Sequence, residues 1–179
     1  ILTSQKGNYP EDKIVIEVED TLLALQQMAA YIRDHNDFKV VAITGSVGKT
    51  STKDLIASVV SKKYRVLKTI GNYNSDIGLP LMMLRYQGEE VMVLEMGMNN
   101  LGEIHTLSKI AKPDIAVINN VGTAHIGNLG SRENILKAKL EIRDGMKKDG
   151  ILIVNNDNDL LHEYALNHPV LTFGIDQPS

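Results

Sequence analysis

The residues best suited to chemistry stand in one stretch, where an apolar run ending at Thr44 is followed by GSVGKTS over residues 45–51. Glycines let backbone N–H groups approach an anion, and the start of the helix predicted to follow favours negative charge. Lys49 adds a cation for phosphate groups. The usual phosphate loop reads G-x-x-x-x-G-K-[ST], and this loop is two residues shorter between Gly45 and Gly48. The stretch therefore predicts a phosphate-binding loop that differs from the standard kinase or GTPase loop.

Two further reactive side chains follow other apolar runs. Glu95 comes directly after residues 91–94, and His125 lies in the polar segment after residues 115–118. Ligands of an open parallel sheet bind beyond the carboxyl ends of its strands, so we expect both residues near Lys49. Mg²⁺ prefers hard oxygen ligands, which suits Glu95 better than His125. The alternatives are that Glu95 is only the first solvated residue after a strand and that His125 is an uninvolved loop residue.

A third candidate is a lysine on the apolar side of a predicted helix. Ile135, Ile142 and Met146 recur at helical spacing after Ser131, and Lys139 falls inside the stripe that they form. A lysine that faces a core costs free energy unless it is paired, neutralised or modified. The alternative is a side chain whose ammonium group reaches water past its neighbours.

The patterns that must position these residues alternate between strands and helices. The predicted strands cover residues 13–18, 38–44, 64–67, 91–94, 115–118, 151–154 and 170–173. The predicted helices, two of them capped by Asp20 and Ser131, cover residues 21–33, 49–61, 81–85, 102–111, 131–146 and 159–167. The central strands are continuous apolar runs, as is typical of parallel sheets buried on both faces. We therefore predict an α/β fold, a mostly parallel sheet with helices on both faces.

Composition excludes several other classes of protein. The 179 residues carry a net charge of −3 with acidic and basic residues interspersed, so no basic patch indicates a nucleic-acid partner. Cysteine is absent, which excludes disulfides and thiolate metal sites. No apolar run reaches the roughly 18 residues of a membrane-spanning helix, and the first residues lack a signal-peptide pattern. We expect a cytoplasmic protein without membrane insertion.

Four blocks, in order along the chain, resemble those of the Mur ligase family, the ATP-dependent amide ligases of peptidoglycan synthesis. They read TGSVGKTS over 44–51, TIGNYNSDIGLPL over 69–81, EMGMNNLGEI over 95–104, and NNVGTAHIGNLGS over 119–131 followed by AKLEI over 138–142. One local departure is Ser75, where the family often has a second asparagine. The resemblance covers about residues 20–174 and implies the P-loop NTPase-like central domain of that family.

The resemblance also implies a domain arrangement. Residues 1–18 are expected to end an N-terminal UDP-sugar-binding domain, and residues 19–179 to form an incomplete central ATP-binding domain. The family's C-terminal domain is expected to be absent. The chain alone is therefore expected to be inactive.

Each candidate residue receives a role from the same resemblance. Lys49 and the loop backbone would hold the phosphates of ATP. Thr50 and Glu95 would bind one Mg²⁺ and His125 a second, and Lys139 would become a carbamate whose negative charge lies beside Mg²⁺. Lys49, Lys139 and His125 are thus the expected catalytic residues. The nucleotide-binding residues are Gly45, Ser46, Val47, Gly48, Lys49, Thr50 and Ser51.

Within the family the blocks are most similar to the members that join D-Ala-D-Ala to a UDP-N-acetylmuramoyl tripeptide. ATP would phosphorylate the terminal carboxylate of the tripeptide, and the amine of D-Ala-D-Ala would then displace phosphate. Asn72 and Asn74 would line the muramoyl-peptide side of the site. We expect these two substrates as the partners of a monomeric protein.

Three rival functions stay open. Another ligase on the same scaffold, such as a folylpolyglutamate synthase or a cyanophycin synthetase, would share the phosphate loop, but the blocks at 69–81 and 119–142 favour the D-Ala-D-Ala-adding members. A non-catalytic nucleotide-binding module would bind ATP without a need for Lys139. A P-loop kinase or GTPase is disfavoured by the shortened loop.

Overall fold

The computed structural model describes residues 1–176, and strands and helices alternate along most of that length. The strands are β1 Leu2–Thr3, β2 Ile16–Glu17, β3 Lys39–Thr44, β4 Val66–Lys68, β5 Val91–Glu95, β6 Ile115–Ile118, β7 Ile151–Asn155 and β8 Leu171–Phe173. The helices are α1 Thr21–His35, α2 Lys49–Val60, α3 Gly78–Met83, α4 Glu103–Ala111, α5 Ile126–Leu129, α6 Arg132–Leu140 and α7 Asp159–Leu166. Asp20 caps α1 and Ser131 caps α6 through their side chains, as predicted.

The main sheet has six parallel strands in the order β4-β5-β3-β6-β7-β8. The strand that leads into the phosphate loop, β3, therefore lies between β5 and β6. Ile43 pairs with Glu95 on one side, and Thr44 pairs with Ile118 on the other. The carboxyl ends of three strands meet at one edge, which is where the sequence predicts the site.

Helices cover both faces of the sheet, as predicted. Val40 and Ala42 belong to a large apolar cluster with residues of α1, α3, α4, α6 and α7. Val41 and Ile43, which alternate with them, pack on the other face against Ala57 of α2. Because side chains alternate between the faces of a strand, the continuous apolar run of β3 is the pattern that a doubly covered strand requires.

The predicted helix over residues 131–146 is too long. Helix α6 ends at Leu140, and a single 3₁₀ turn continues to Arg143. Ser108 Oγ of α4 donates to Ile142 O and accepts from Gly145 N. A Cβ on Gly145 would lie only 2.0 Å from Ser108 O. This close backbone packing turns the chain away from the helix axis, and the local pattern of apolar residues does not reveal it.

Several other boundaries also differ from the prediction. Helix α3 begins at Gly78 instead of residue 81, where Gly78 N donates to Ser75 Oγ. The polar segment 119–130, for which the sequence predicts no helix, contains the one-turn helix α5. Of the run 13–18 only Ile16–Glu17 is a strand, and it pairs in parallel with β1, which the sequence did not indicate.

The strands β1 and β2 form a small sheet of their own, apart from the six-stranded one. The assignment of residues 1–18 and 19–179 to two domains stays a prediction. No helix within residues 1–176 is both long enough and apolar enough to cross a membrane.

Candidate functional site

The predicted phosphate loop joins β3 to α2 in a conformation that depends on its two glycines. Gly48 is the N-cap of α2 and has a φ of +78°, in the left-handed region where a side chain is strained. A Cβ on Gly45 would lie 2.9 Å from Asn119 Cβ, so this position needs a residue without a side chain. Lys49 Nζ donates to Gly45 O over 3.0 Å, which folds the lysine back across the loop.

Asn120, which follows β6 by two residues, braces the loop from outside. Its Oδ1 accepts hydrogen bonds from Ser46 N and Val47 N, both 3.0 Å long, and its Nδ2 donates to Val47 O over 3.1 Å. Gly122 N donates to Ser46 Oγ. The internal bonds occupy two N–H groups of the loop, so the first turn of α2 supplies the donors for a phosphate. The sequence analysis missed Asn120, although it lies in one of the four blocks.

Two buried polar atoms lie at the strand ends next to this loop. Thr44 Oγ1 at the end of β3 and Asn119 Oδ1 just after β6 have no hydrogen-bond partner among the described residues. Buried polar groups are normally paired, so such atoms mark places where a ligand or water completes the bonding.

Glu95 is held at the same edge by contacts from three directions. Thr50 Oγ1 donates to Glu95 Oε2 and Asn74 Nδ2 donates to Glu95 Oε1, each over 2.8 Å. Glu95 N donates to Thr69 Oγ1 over 2.9 Å. The residue is only 3% exposed, so it is not simply the first solvated residue after a strand.

The oxygen atoms of Thr50 and Glu95 fit a Mg²⁺ site beside a bound phosphate. They are in contact at the first turn of α2, and both are hard ligands. Residues 1–176 contain no group of three or more His, Asp or Glu placed to hold a metal ion. Phosphate and water oxygens would therefore complete the coordination, as is common for Mg²⁺.

Lys139 is buried, as the stripe on α6 predicts. It is 1% exposed, and Ile135, Ala138 and Ile142 around it are all fully buried. Removal from water, together with the nearby positive charge of Lys49, lowers the pKa of Lys139 to about 8. Its amine makes no ion pair or hydrogen bond within residues 1–176, and the alternative of an ammonium group that reaches water past its neighbours stays a prediction.

His125 lies at the N-cap of α5 with an unusual backbone conformation. Its φ is +67°, in the left-handed region that few residues other than glycine adopt. Its carbonyl accepts from Leu129 N, and Asn128 Nδ2 of α5 donates to Asn99 O in the segment after β5. The imidazole is exposed and makes no hydrogen bond or ion pair in the described part of the chain. The structure does not bring it into contact with Glu95.

The two asparagines of the 69–81 block take different positions. Asn74 reaches Glu95 through its side chain, and its carbonyl accepts from Gly97 N over 2.8 Å. Asn72 is exposed, and its carbonyl accepts from Asn74 N over 2.7 Å. Asn74 thus contacts Glu95 directly, whereas Asn72 is an exposed residue of the same loop.

Comparisons with known sequences agree with the four blocks. The sequence model described as "Mur ligase middle domain" matches residues 43–179. The UDP-N-acetylmuramoyl-tripeptide–D-alanyl-D-alanine ligase of Bacillus subtilis is 53% identical over 169 residues, which are 93% of this chain and 36% of that protein. The enzyme of that name from Escherichia coli is 42% identical over 79% of this chain and 32% of its own length. The chain thus spans about a third of the length of the curated relatives it matches.

Solved structures give the same relationship. The chain superposes on MurF from Acinetobacter baumannii with a TM-score of 0.85 and 39% identity, over 97% of this chain and 39% of that one. MurF ligase from Thermotoga maritima in complex with ADP gives a TM-score of 0.86 and 38% identity, over 97% and 40%. The FPGS (folylpolyglutamate synthase) of L. casei, at 13% identity and a TM-score of 0.65 over 87% and 49%, shares the fold alone.

Proposed function

Because the chain belongs to the Mur ligase family, we propose that it supplies the ATP-binding and Mg²⁺-binding part of a D-Ala-D-Ala-adding ligase. The observation that carries this proposal is the contact among Thr50, Glu95 and Asn74 at the mouth of the phosphate loop. Through Glu95, this contact connects Thr50 of the loop proposed to bind ATP with Asn74 of the loop proposed to bind the muramoyl peptide. The relatives of that name, at 53% and 42% identity, support the choice of substrates.

Nucleotide binding is supported by the phosphate loop and by the ADP complex of the Thermotoga maritima relative. The proposed phosphate ligands are the first-turn N–H groups of α2 within the loop 45–51. Lys49 Nζ, which donates to Gly45 O, would turn to the β- and γ-phosphates. Its positive charge would reduce the repulsion between ATP and an incoming carboxylate.

Thr50 and Glu95 would hold one Mg²⁺, and His125 with a carbamoylated Lys139 would hold a second. Bound Mg²⁺ supplies charge neutralisation for the transferring phosphoryl group. His125 is exposed, which fits a residue that would bind Mg²⁺ only after ATP and the peptide substrate have bound. Lys139 lies near Lys49, whose charge contributes to its lowered pKa, and so lies close to the phosphate side.

The carbamate proposal rests on the burial and the pKa of Lys139. A neutral amine is the form that attacks CO₂, and a pKa of about 8 leaves roughly a tenth of the side chain neutral at pH 7. The nitrogen lone pair forms the N–C bond, one C=O pair moves to oxygen, and the amine proton leaves to water. The product is an anion, which offsets the charge of Lys49 and binds a cation.

Two steps complete the proposed reaction. A carboxylate oxygen of the tripeptide attacks the γ-phosphorus, ADP leaves, and an acyl phosphate forms. The neutral amine of D-Ala-D-Ala then attacks the acyl carbon, one amine proton leaves to water, and phosphate departs with one oxygen of the original carboxylate. Asn72 and Asn74 would orient the peptide while Lys49 stabilises the developing charge. We place this reaction in the cytoplasm and assign it to a monomeric enzyme.

ADP release by the complete protein tests the proposal. With Mg-ATP and UDP-N-acetylmuramoyl tripeptide, we expect release to depend on added D-Ala-D-Ala and to equal the ligated product. Release with a folate and glutamate instead would keep the scaffold and contradict the substrates. ATP binding without release under any of these conditions would favour the non-catalytic module.

A further inference from the structure

Lys53 is a buried lysine that the proposed chemistry does not use. It lies on α2, three residues after Thr50, and is 3% exposed. Its Nζ donates to Thr69 O over 2.9 Å and lies 3.3 Å from Asp54 Oδ1 at the surface. A charged donor makes a stronger hydrogen bond than a neutral one, so Lys53 fixes the Thr69 carbonyl firmly to α2.

Thr69 connects Lys53 to Glu95, the residue whose carboxylate is proposed to bind Mg²⁺. It is 1% exposed and begins the loop that carries Asn74. Its N donates to Val93 O over 3.0 Å, and its Oγ1 accepts from Glu95 N over 2.9 Å. Thr69 therefore fixes the backbone of Glu95 from one side, while its carbonyl is held by Lys53 from the other.

The contacts close into a ring that begins and ends on α2. Lys53 holds Thr69, Thr69 holds the Glu95 backbone, and the Glu95 carboxylate accepts from Thr50, one turn before Lys53. Asn74 enters the ring through Glu95 Oε1. Residues three apart on a helix share a face, so both ends of the ring start from the same side of α2.

We propose that Lys53 is a positioning residue: through Thr69 it fixes Glu95 relative to the phosphate loop, so that nucleotide and Mg²⁺ bind cooperatively. This inference rests on the proposed function, because it assigns Thr50 and Glu95 to Mg²⁺. The side chain of Lys53 is bonded to Thr69 O and Asp54, so this role requires no contact of Lys53 with nucleotide or metal. Its loss would let Glu95 and the Asn74 loop move away from α2, and the two ligands of Mg²⁺ would no longer be held together.

The chain offers a matched control. Lys68 Nζ binds the same Asp54 oxygen over 2.7 Å, but its side chain is 46% exposed and makes no hydrogen bond to the Thr69 carbonyl in the described structure. Lys53→Met and Lys68→Met each remove one lysine partner of Asp54. Only Lys53→Met also removes the bond to Thr69.

Equilibrium binding of ADP to the complete protein, by calorimetry with excess Mg²⁺ and with EDTA, tests this role. The readout is the Mg²⁺ factor, which is the Kd of ADP measured in EDTA divided by the Kd measured with excess Mg²⁺. We expect Lys53→Met to reduce this factor about ten-fold, the loss expected for one charged hydrogen bond, with affinity in EDTA unchanged. Lys68→Met should keep the factor of the unaltered protein.

A second variant keeps the proposal testable if Lys53→Met folds poorly. Thr69→Val preserves shape and removes only the acceptor for Glu95 N. It should lower the same factor, and the double variant should lose less than the product of the two single losses. An unchanged Mg²⁺ factor in a folded Lys53→Met or Thr69→Val protein would overturn the positioning role.

The outcomes also separate this proposal from the proposed function. If the unaltered protein shows the Mg²⁺ factor but no ligation, the substrates are wrong and the Lys53 result still decides its role. If the unaltered protein shows no Mg²⁺-enhanced ADP binding, both proposals fail.

Discussion

Replacement of Lys139 by methionine should stabilise the protein while it removes ligase activity. Methionine has nearly the length of lysine and no charge, so it fits among Ile135, Ala138 and Ile142 without leaving a large cavity. The lysine, by contrast, pays for burial of a charge without a described partner. Function and stability are therefore expected to change in opposite directions at this position.

The magnitude follows from the lowered pKa. A fall from the ordinary value of 10.5 to about 8 corresponds to about 3 kcal/mol of preference for the neutral amine. Below pH 8 the folded protein carries the full cost of the charged group. As the pH rises from 8 to 10.5, the unfolded chain holds the proton more tightly than the folded one, so the free energy of unfolding rises. Above 10.5 the cost is gone.

Urea unfolding in CO₂-free buffer measures this effect. At pH 7 we expect the Lys139→Met protein to exceed the unaltered protein in free energy of unfolding by up to about 3 kcal/mol. The difference should shrink as the pH rises through the window from 8 to 10.5. A Lys139→Met protein that is less stable at pH 7, or a difference independent of pH, would refute the reasoning about burial.

Three further variants test the phosphate loop. Lys49→Ala should abolish ATP-dependent ligation with little change in thermal unfolding, because its side-chain bond is to the loop carbonyl of Gly45; retained turnover would contradict the phosphate role. Asn120→Ala should weaken ADP binding roughly ten-fold, because Val47 N loses its acceptor and Ser46 N keeps only the backbone carbonyl of Asn120; unchanged affinity by calorimetry would contradict the bracing. Gly45→Ala should also weaken ADP binding, because its Cβ would lie 2.9 Å from the Asn119 side chain, whereas Gly127→Ala meets nothing within 4 Å and serves as the control.

Local sequence patterns were sufficient to predict the positions of two candidate site residues, Glu95 and Lys139. Glu95 was predicted beside the phosphate loop because parallel strands end at a common edge, and Ile43 indeed pairs with Glu95. Helical spacing alone places Lys139 in the apolar stripe of α6, and the residue is 1% exposed. Both follow from the periodicity of one element and from the direction of the strands.

The rest depends on contacts between distant parts of the chain. The hydrogen bond from Lys53 to Thr69 O and the brace of Asn120 on the loop join separate elements, and no local pattern indicates them. The end of α6 is another case, since the packing of Gly145 against Ser108 overrides the helical pattern. Polar contacts that shape the site were therefore missed, although the sequence placed Glu95 beside the phosphate loop and Lys139 among apolar residues.

Transfer of ¹⁸O tests the central claim most directly. The complete protein would be given UDP-N-acetylmuramoyl tripeptide labelled with ¹⁸O in both oxygens of its terminal carboxylate, together with Mg-ATP and D-Ala-D-Ala. If the carboxylate is activated by phosphorylation at this site, each turnover delivers one ¹⁸O atom to inorganic phosphate and leaves one in the new amide. Ligation without ¹⁸O in the phosphate, or ATP hydrolysis without ligation, would contradict the account.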